Sequence, residues 1–84
     1  MRLVFAEQAW DDYRFWQRTD PKITRRIHDL IKDTACHPFE GIGKPEPLRH
    51  ALSGYWSRRI TEEQHMVYKS VGNDLSIAQL RYHY

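Results

Sequence analysis

Three side chains of this sequence could together cleave RNA by acid–base chemistry: the carboxylate of Glu46, the guanidinium of Arg59 and the imidazole of His83. In such a reaction a base takes the proton of a ribose 2′-OH, and the oxygen attacks the adjacent phosphate. An acid protonates the departing 5′ oxygen, which leaves a 2′,3′-cyclic phosphate and a 5′-OH. Each positioned acid or base typically contributes about 10²–10⁴-fold, and preorganised cations contribute a comparable or larger factor. This chemistry needs no metal, with Glu46 as candidate base, His83 as candidate acid, and Arg59 and Arg49 as candidate cations.

The neighbours of Glu46 favour a fixed carboxylate. It lies between Pro45 and Pro47, each of which fixes its own φ and biases the preceding residue toward extended backbone. The two prolines therefore hold this side chain in place within a loop. The alternatives are that Glu46 is only a solvated charge and that Arg59 only keeps a strand edge soluble.

The last four residues, 81–84, have the sequence Arg-Tyr-His-Tyr directly after an apolar segment. Chain ends are commonly small, polar and frayed, whereas these side chains suit a site that binds an anion and moves a proton. The alternative is a last strand whose aromatic rings complete the core.

The composition favours one small domain with an anionic partner. A chain of 84 residues has the size of a single domain, so we predict one domain over residues 1–84. The net charge is only +2, but basic and aromatic side chains are concentrated in the second half, which favours RNA as the partner. From Pro47 onward the basic residues are Arg49, Arg58, Arg59, Lys69 and Arg81.

No cofactor is expected. Cys36 is the only cysteine, so neither an internal disulfide nor a cysteine metal cluster can form. His50, His65 and His83 are a minor alternative as a metal site, because nothing fixes their spacing. No segment has the length of a signal peptide or a transmembrane helix, and we therefore expect a cytoplasmic protein without a membrane partner.

The first half predicts a strand and two helices. Residues 3–5 are rich in β-forming side chains, and residues 7–18 have apolar positions at helical spacing. Asp20 and Pro21 predict the start of a second helix, with Asp20 as its cap, and Pro38 ends it. The apolar positions are Ala9, Trp10, Tyr13 and Trp16 in the first helix and Ile23, Ile27, Leu30, Ile31 and Thr34 in the second.

The second half predicts a loop followed by antiparallel strands. Residues 37–47 form the loop, and a short strand is expected near Leu48. Residues 55–61, 65–71 and 75–82 predict a β-meander. We therefore predict an α+β fold with an N-terminal strand, a two-helix hairpin and an antiparallel β-meander. The first strand flanks or enters the meander, and both helices cover one face of the sheet and leave the other open.

Strand alternation predicts which side chains face the helices. Arg58 falls by alternation on the side of Trp56 and Ile60, and a one-residue bulge would invert such assignments. The predicted helix-facing residues are Trp56, Ile60, Met66, Tyr68, Ala78 and Leu80. The predicted residues of the open face are Arg59, His65, Ile77, Gln79, Arg81 and His83.

The sequence resembles the YoeB toxins of the RelE/ParE toxin superfamily. The segments that carry the resemblance are residues 10–13, 38–48, 52–61 and 81–84, within a match that extends over all 84 residues. The resemblance implies a RelE-like, microbial RNase-like fold. It also implies a ribosome-dependent endoribonuclease that cleaves mRNA in the A site without a metal and inhibits translation.

The resemblance further implies the partners of the chain. A YefM-type antitoxin would neutralise it through an acidic, partly disordered carboxy-terminal segment that occludes the site. The toxin–antitoxin complex would bind operator DNA and repress its own operon, and a toxin homodimer is possible. The ribosome and mRNA would be the targets.

The resemblance also assigns roles to residues. It makes Glu46 the general base and His83 the general acid, while Tyr84 orients the substrate and Arg59 stabilises the phosphate. His65 completes the predicted catalytic set. The predicted RNA-binding residues are Lys44, Arg49, Arg58 and Arg81.

The chain departs from the family pattern at His65. Members of the family have a histidine and then an arginine after the double glutamate, whereas this sequence has Gln64 and His65. An imidazole titrates near ~6.5 and offers no bidentate fork. We therefore expect activity to fall more steeply as the pH rises above neutrality, unless Arg58 or Arg81 supplies the missing cation.

Two other functions remain open. A toxin of the same fold could poison DNA gyrase, as the ParE branch does, but that action needs no acid–base pair. A noncatalytic RNA- or ribosome-binding module would need only basic strands and aromatic side chains.

Overall fold

The computed structural model describes residues 1–82, and the predictions for His83 and Tyr84 lie outside these residues. The elements are β1 (Arg2–Phe5), α1 (Glu7–Thr19), α2 (Pro21–Cys36), β2 (Glu46–Pro47), a 3-10 turn (His50–Leu52), β3 (Trp56–Arg59), β4 (His65–Val71) and β5 (Asp74–Gln79). The predicted order of strand, helix pair and meander is confirmed. The strands on either side of β4, which are β3 and β5, are shorter than predicted.

The helix pair forms where the sequence predicts it. The Asp20 carboxylate accepts hydrogen bonds from the backbone amides of Lys22 (3.0 Å) and Ile23 (3.3 Å), and Pro21 occupies the first turn of α2. This cap satisfies amides that have no partner within the helix. Neither helix of residues 1–82 is long and apolar enough to cross a membrane.

The sheet is mixed and has the strand order β1-β5-β4-β3-β2. The predicted meander is confirmed, because β3, β4 and β5 pair in antiparallel fashion. The strand β1 flanks the meander and runs parallel to β5. At the other edge the two-residue strand β2 pairs with β3.

Both helices and one face of the sheet share a single core. The buried core residues are Ala9 and Trp16 of α1, Ile27 and Leu30 of α2, and Ile60, Met66, Tyr68, Leu75, Ile77 and Leu80 of the sheet side. One prediction for α1 needs correction, because Trp10, predicted at an apolar position, is 48% exposed. The acidic residue Asp12, in contrast, is only 2% exposed. Asp12 is buried because its carboxylate accepts from the backbone amide of Leu80 at 3.0 Å.

A bulge in β5 corrects the predicted facing of that strand. Val67 pairs with Gln79 while the next residue of β4, Tyr68, pairs with Ile77, so Ala78 is the extra residue. Ile77 and Leu80 are therefore both fully buried in the core, although alternation predicted them on opposite faces. Ala78, predicted to face the helices, is only partly buried.

Candidate active site

The strand register brings Glu46, Arg59 and His65 to one face of the sheet. Glu46 lies directly opposite Ser57, and Arg59 lies directly opposite His65. Directly opposed residues point to the same side, and so do alternate residues of one strand. These side chains therefore share the face away from the helices, which we call the outer face. Diagonal neighbours on such a face are about 7–8 Å apart, which is close enough for Glu46 and Arg59 to contact one phosphodiester.

The outer face is covered at its centre, contrary to the prediction of an open face. Ser57, His65 and Val67 lie there with exposures of 4%, 6% and 2%. Glu46 and Arg59, in contrast, are exposed at its rim. An anionic ligand would therefore reach Glu46 and Arg59 first and meet His65 only at the bottom of the site.

A cavity adjoins Glu46 at the edge of the sheet. Its volume is about 630 Å³, and it is lined by Glu46, Pro47, Leu48, Arg49, His50 and Leu52. The backbone amide of Leu48 donates to the carbonyl of Tyr55 at 2.9 Å, so the segment after β2 stays fixed to β3. The cavity places the predicted cation Arg49 beside the predicted base.

The chain returns to the start of β4 at Tyr82. The backbone amide of His65 donates to the Tyr82 carbonyl at 3.1 Å, and the Tyr82 amide donates to the side chain of Gln64. The side chain of Gln79 donates to the Arg81 carbonyl at 3.0 Å. The two hydrogen bonds of Tyr82 hold the last described residues beside the start of β4, next to His65.

Left-handed backbone is concentrated around the site. The described non-glycine residues with positive φ are Lys44 (52°), His50 (58°) and Tyr82 (62°). Lys44 precedes Glu46 by two residues, His50 lines the cavity, and Tyr82 lies beside His65. Such conformations are costly and cluster at functional sites when the surrounding structure enforces them, which supports this location for the site.

Arg58 corrects the predicted set of RNA-binding residues. Its side chain is fully buried on the helix side of β3, and its guanidinium donates to the carboxylate of Asp33 at 2.6 Å. It also donates to carbonyls of the loop before β2. Since the guanidinium is enclosed and bonded, it can neither contact RNA nor supply the cation missing at His65.

Arg81 is a second correction. Its guanidinium lies 3.6 Å from the ring centroid of Phe15 in α1 and donates to the Tyr82 hydroxyl at 2.8 Å. It was predicted on the outer face, but β5 ends at Gln79, and alternation no longer applies beyond that residue. Arg81 is therefore held against α1 rather than beside Arg59.

The partners of Arg58 could not be predicted from their positions in the sequence. Donation by Arg58, and then by the backbone amide of Ile42, lowers the pKa of the Asp33 carboxyl. Burial raises the pKa of the Tyr68 hydroxyl, which stays protonated and donates to the Pro38 carbonyl at 2.6 Å. A lone aspartate near the end of α2 and a tyrosine in a core strand carry no sequence signal for such a network.

The described residues contain no group of three or more histidine, cysteine, aspartate or glutamate side chains placed to hold a metal ion. The chemistry available on the outer face is that of a carboxylate, a guanidinium and an imidazole. This set can take a proton and stabilise an anionic phosphate.

Comparison with known proteins gives matches over nearly all or all of the chain. The model of the family "YoeB-like toxin of bacterial type II toxin-antitoxin system" matches residues 5–84. The toxin YoeB of Escherichia coli K12 is 58% identical over 84 residues, and the alignment covers all of both chains.

Solved structures agree with these matches. The YoeB/ParE toxin from Agrobacterium tumefaciens is 50% identical with a TM-score of 0.97, and all of both chains is covered. A YoeB of Staphylococcus aureus, 41% identical over all of this chain and 98% of that one, is solved as a dimer (TM-score 0.94). A heterotetrameric YoeB–YefM complex from Staphylococcus aureus has a TM-score of 0.92, and its matched chain has the same identity and coverage.

Proposed function

Because the chain belongs to the YoeB-like toxins of bacterial type II toxin–antitoxin systems, we propose that it is a ribosome-dependent endoribonuclease that cleaves mRNA in the A site and inhibits translation. The observation that supports this most is the placement of an exposed carboxylate, Glu46, and an exposed guanidinium, Arg59, on one face of the sheet. A gyrase poison would need neither a general base nor a cation that stabilises a phosphate at this face.

Glu46 is the proposed general base. It takes the proton of the ribose 2′-OH, and the oxygen attacks the adjacent phosphate to give a 2′,3′-cyclic phosphate. Arg59 and Arg49 stabilise the negative charge that develops on the phosphoryl oxygens, and Lys44 provides a further contact to the RNA backbone. The reaction needs no metal or other cofactor in this proposal.

His83 is the proposed general acid that protonates the departing 5′ oxygen, and Tyr84 orients the substrate. Both roles are carried over from the family resemblance, and these two residues lie outside the described part of the chain. We expect deletion of Tyr84 alone to impair cleavage strongly while the fold and antitoxin binding persist.

His65 is proposed as a catalytic residue that contacts the phosphate from the bottom of the site. It is 6% exposed and pairs directly with Arg59 across β3 and β4. The charge of an imidazole depends on pH near neutrality, which supports a pH-dependent contribution in place of the arginine of the family pattern.

A YefM-type antitoxin is the proposed partner, since the similar Staphylococcus aureus protein is solved in complex with YefM. The net charge of +2 suits an acidic antitoxin segment. We further propose that the complex binds operator DNA, that the toxin can form a homodimer like the Staphylococcus aureus relative, and that it acts in the cytoplasm, where mRNA is translated.

The deciding experiment combines purified protein, ribosomes and a defined mRNA. Primer extension locates the cleavage site, and end analysis identifies a 2′,3′-cyclic phosphate and a 5′-OH. Glu46→Ala should lower the single-turnover rate about 10²–10⁴-fold while ribosome binding, followed by co-sedimentation, stays the same.

Other outcomes identify other functions. Toxicity without mRNA cleavage, together with inhibited DNA supercoiling, would assign the chain to gyrase. If the unsubstituted protein and Glu46→Ala both bound ribosomes and neither cleaved mRNA, the chain would be a noncatalytic binding module.

A further inference from the structure

The guanidinium of Arg58 uses all of its hydrogen-bond donors. An arginine side chain has five N–H donors, and each has an acceptor here. Nε donates to the Tyr68 hydroxyl at 3.3 Å, and one terminal nitrogen donates to Asp33 at 2.6 Å and to the Ile42 carbonyl at 3.1 Å. The other terminal nitrogen donates to the carbonyls of Glu40 at 2.8 Å and of His37. We call Arg58, Asp33 and Tyr68 the Arg58 hub.

The hub holds the loop that leads from α2 to β2. The carbonyls of His37, Glu40 and Ile42 accept from Arg58, and the Pro38 carbonyl accepts from Tyr68. Residues 37–42 form neither a helix nor a strand. Their backbone is therefore held by the hydrogen bonds to Arg58 and Tyr68 rather than by those of a regular element.

The loop packs so closely on the hub that glycine is required at Gly41. A Cβ there would lie 2.1 Å from the Asp33 carboxylate, and the φ of 120° is a conformation that favours glycine. The loop therefore passes over the ion pair between Arg58 and Asp33 in direct contact with it.

The hub is linked to Glu46 through a short, constrained segment. The Gly43 carbonyl accepts from the Arg59 amide at 2.7 Å, and a Cβ on Gly43 would lie 3.2 Å from the Cβ of Arg58. Lys44 is left-handed, Pro45 fixes its own φ, and Glu46 pairs with Ser57. The place of the loop at the hub therefore constrains where the backbone of Glu46 enters its pairing with β3.

We propose that Arg58 is a positioning residue that sets the place of the Glu46 carboxylate through loop 37–45. The inference rests on the proposed role of Glu46 as the general base. Arg58 lies on the opposite side of β3 from the outer face and touches no substrate. A misplacement of about 1 Å can cost on the order of 10²-fold in rate, so loss of the hub should lower the rate of cleavage rather than ribosome binding.

The test is a double-mutant cycle between Arg58→Lys and Glu46→Ala, because coupled residues give non-additive losses. Lysine keeps the charge but has three donors and no planar fork. Single-turnover cleavage of ribosome-bound mRNA is followed at saturating protein. We expect Arg58→Lys to slow cleavage at least about tenfold when Glu46 is present, and less than about twofold in the Glu46→Ala background.

Ile77→Val is the control, since it removes one buried methyl group in the core and leaves the hydrogen bonds of the Arg58 hub in place. It should leave the rate unchanged in both backgrounds. If Arg58→Lys does not fold, Tyr68→Phe carries the same test. It removes the hydroxyl between Arg58 and Pro38, and a smaller loss of about threefold that vanishes in Glu46→Ala is expected.

Two contrary results have different meanings. Equal fold-losses in both backgrounds would show that the hub acts only on the folded fraction, and would overturn this inference alone. A Glu46→Ala rate equal to that of the unsubstituted protein would overturn the base assignment, and with it the idea that Arg58 positions a base.

Discussion

On the helix side of β3, the guanidinium of Arg58 is fully buried and all its donors are bonded within the fold. On the other side, Arg59 is exposed and lies opposite His65, near Glu46. Two consecutive arginines therefore have different environments because a strand directs successive side chains to opposite faces. The same side chain serves the architecture on one face and is free for chemistry on the other.

Arg58 thus contributes to folding stability, whereas Arg59 is available for catalysis. A buried guanidinium must be fully paired, because an unpaired buried charge is expensive. An exposed guanidinium contributes little to stability, so it can be kept for a function. Substitutions at the two positions should accordingly change different measured quantities.

The largest expected effect is on stability at Arg58. Arg58→Met keeps much of the side-chain volume but leaves Asp33 and three loop carbonyls without their donor. Each buried acceptor that is left without its donor typically costs about 1–3 kcal/mol, so the sum is a large part of the total stability of about 5–15 kcal/mol of a small domain. Urea unfolding followed by tryptophan fluorescence measures the free energy of unfolding.

The matched control is Arg59→Met, which makes the same change at the next position of β3, on its other face. Its cost in stability should stay within about 0.5 kcal/mol, as for most surface changes. Equal losses at the two positions would refute the division of roles between the two faces of β3.

Arg59→Met should instead affect cleavage. Removal of one preorganised group that stabilises developing charge typically costs about 10²–10³-fold in rate. We expect a loss of this size in single-turnover cleavage of mRNA on ribosomes, with an unchanged unfolding curve. A rate within twofold of the unsubstituted protein would show that Arg59 is only a solvated charge, which is the alternative that its sequence position left open.

The elements that depend on local sequence could be predicted, and those that depend on pairing between strands could not. Asp20 and Pro21 define the start of α2 from their own chemistry, and the structure confirms it. The bulge at Ala78 depends on how β4 and β5 align. No property of Ala78 itself indicates it, so the facing of Ile77 was predicted wrongly.

The candidate site was also harder to predict where it depends on contacts between distant segments. Alternation placed Arg58 with the helix-facing residues, but its charge suggested RNA binding, and alternation was the better guide. Asp33 and Asp12 are acids on helices, and their buried partners come from distant segments. Sequence position could not distinguish them from solvated charges. Glu46 and Arg59 meet on one face through the strand register, which the sequence could only suggest.

A moderate effect is expected from His65→Arg. An imidazole can lose its charge as the pH rises, whereas a guanidinium remains charged. If a charged His65 stabilises the phosphate, the cleavage rate of the unsubstituted protein should fall as the pH rises, and His65→Arg should flatten this profile. At alkaline pH His65→Arg should then cleave faster, by about tenfold for each pH unit over which the imidazole is neutral. Identical profiles and rates for both proteins would remove His65 from the mechanism.

The smallest effect concerns the acid stability of two ion pairs with different environments. The pKa of the Asp33 carboxyl is lowered by donation from Arg58 and from the Ile42 amide, and the pKa of Asp74 is lowered by the exposed Arg2. A lowered folded-state pKa contributes stability above the ordinary value of ~3.9 that is lost as the pH falls through the lowered value.

Asp33→Asn should therefore make the free energy of unfolding less dependent on pH between pH 5 and pH 2, because the substituted side chain no longer titrates. Asp74→Asn is the control, and its effect should be smaller and should decrease with salt, since exposed pairs are screened. Urea unfolding at several pH values and two salt concentrations measures both. If Asp74→Asn flattened the profile more than Asp33→Asn, the exposed pair rather than the Arg58 hub would account for the acid sensitivity of the fold.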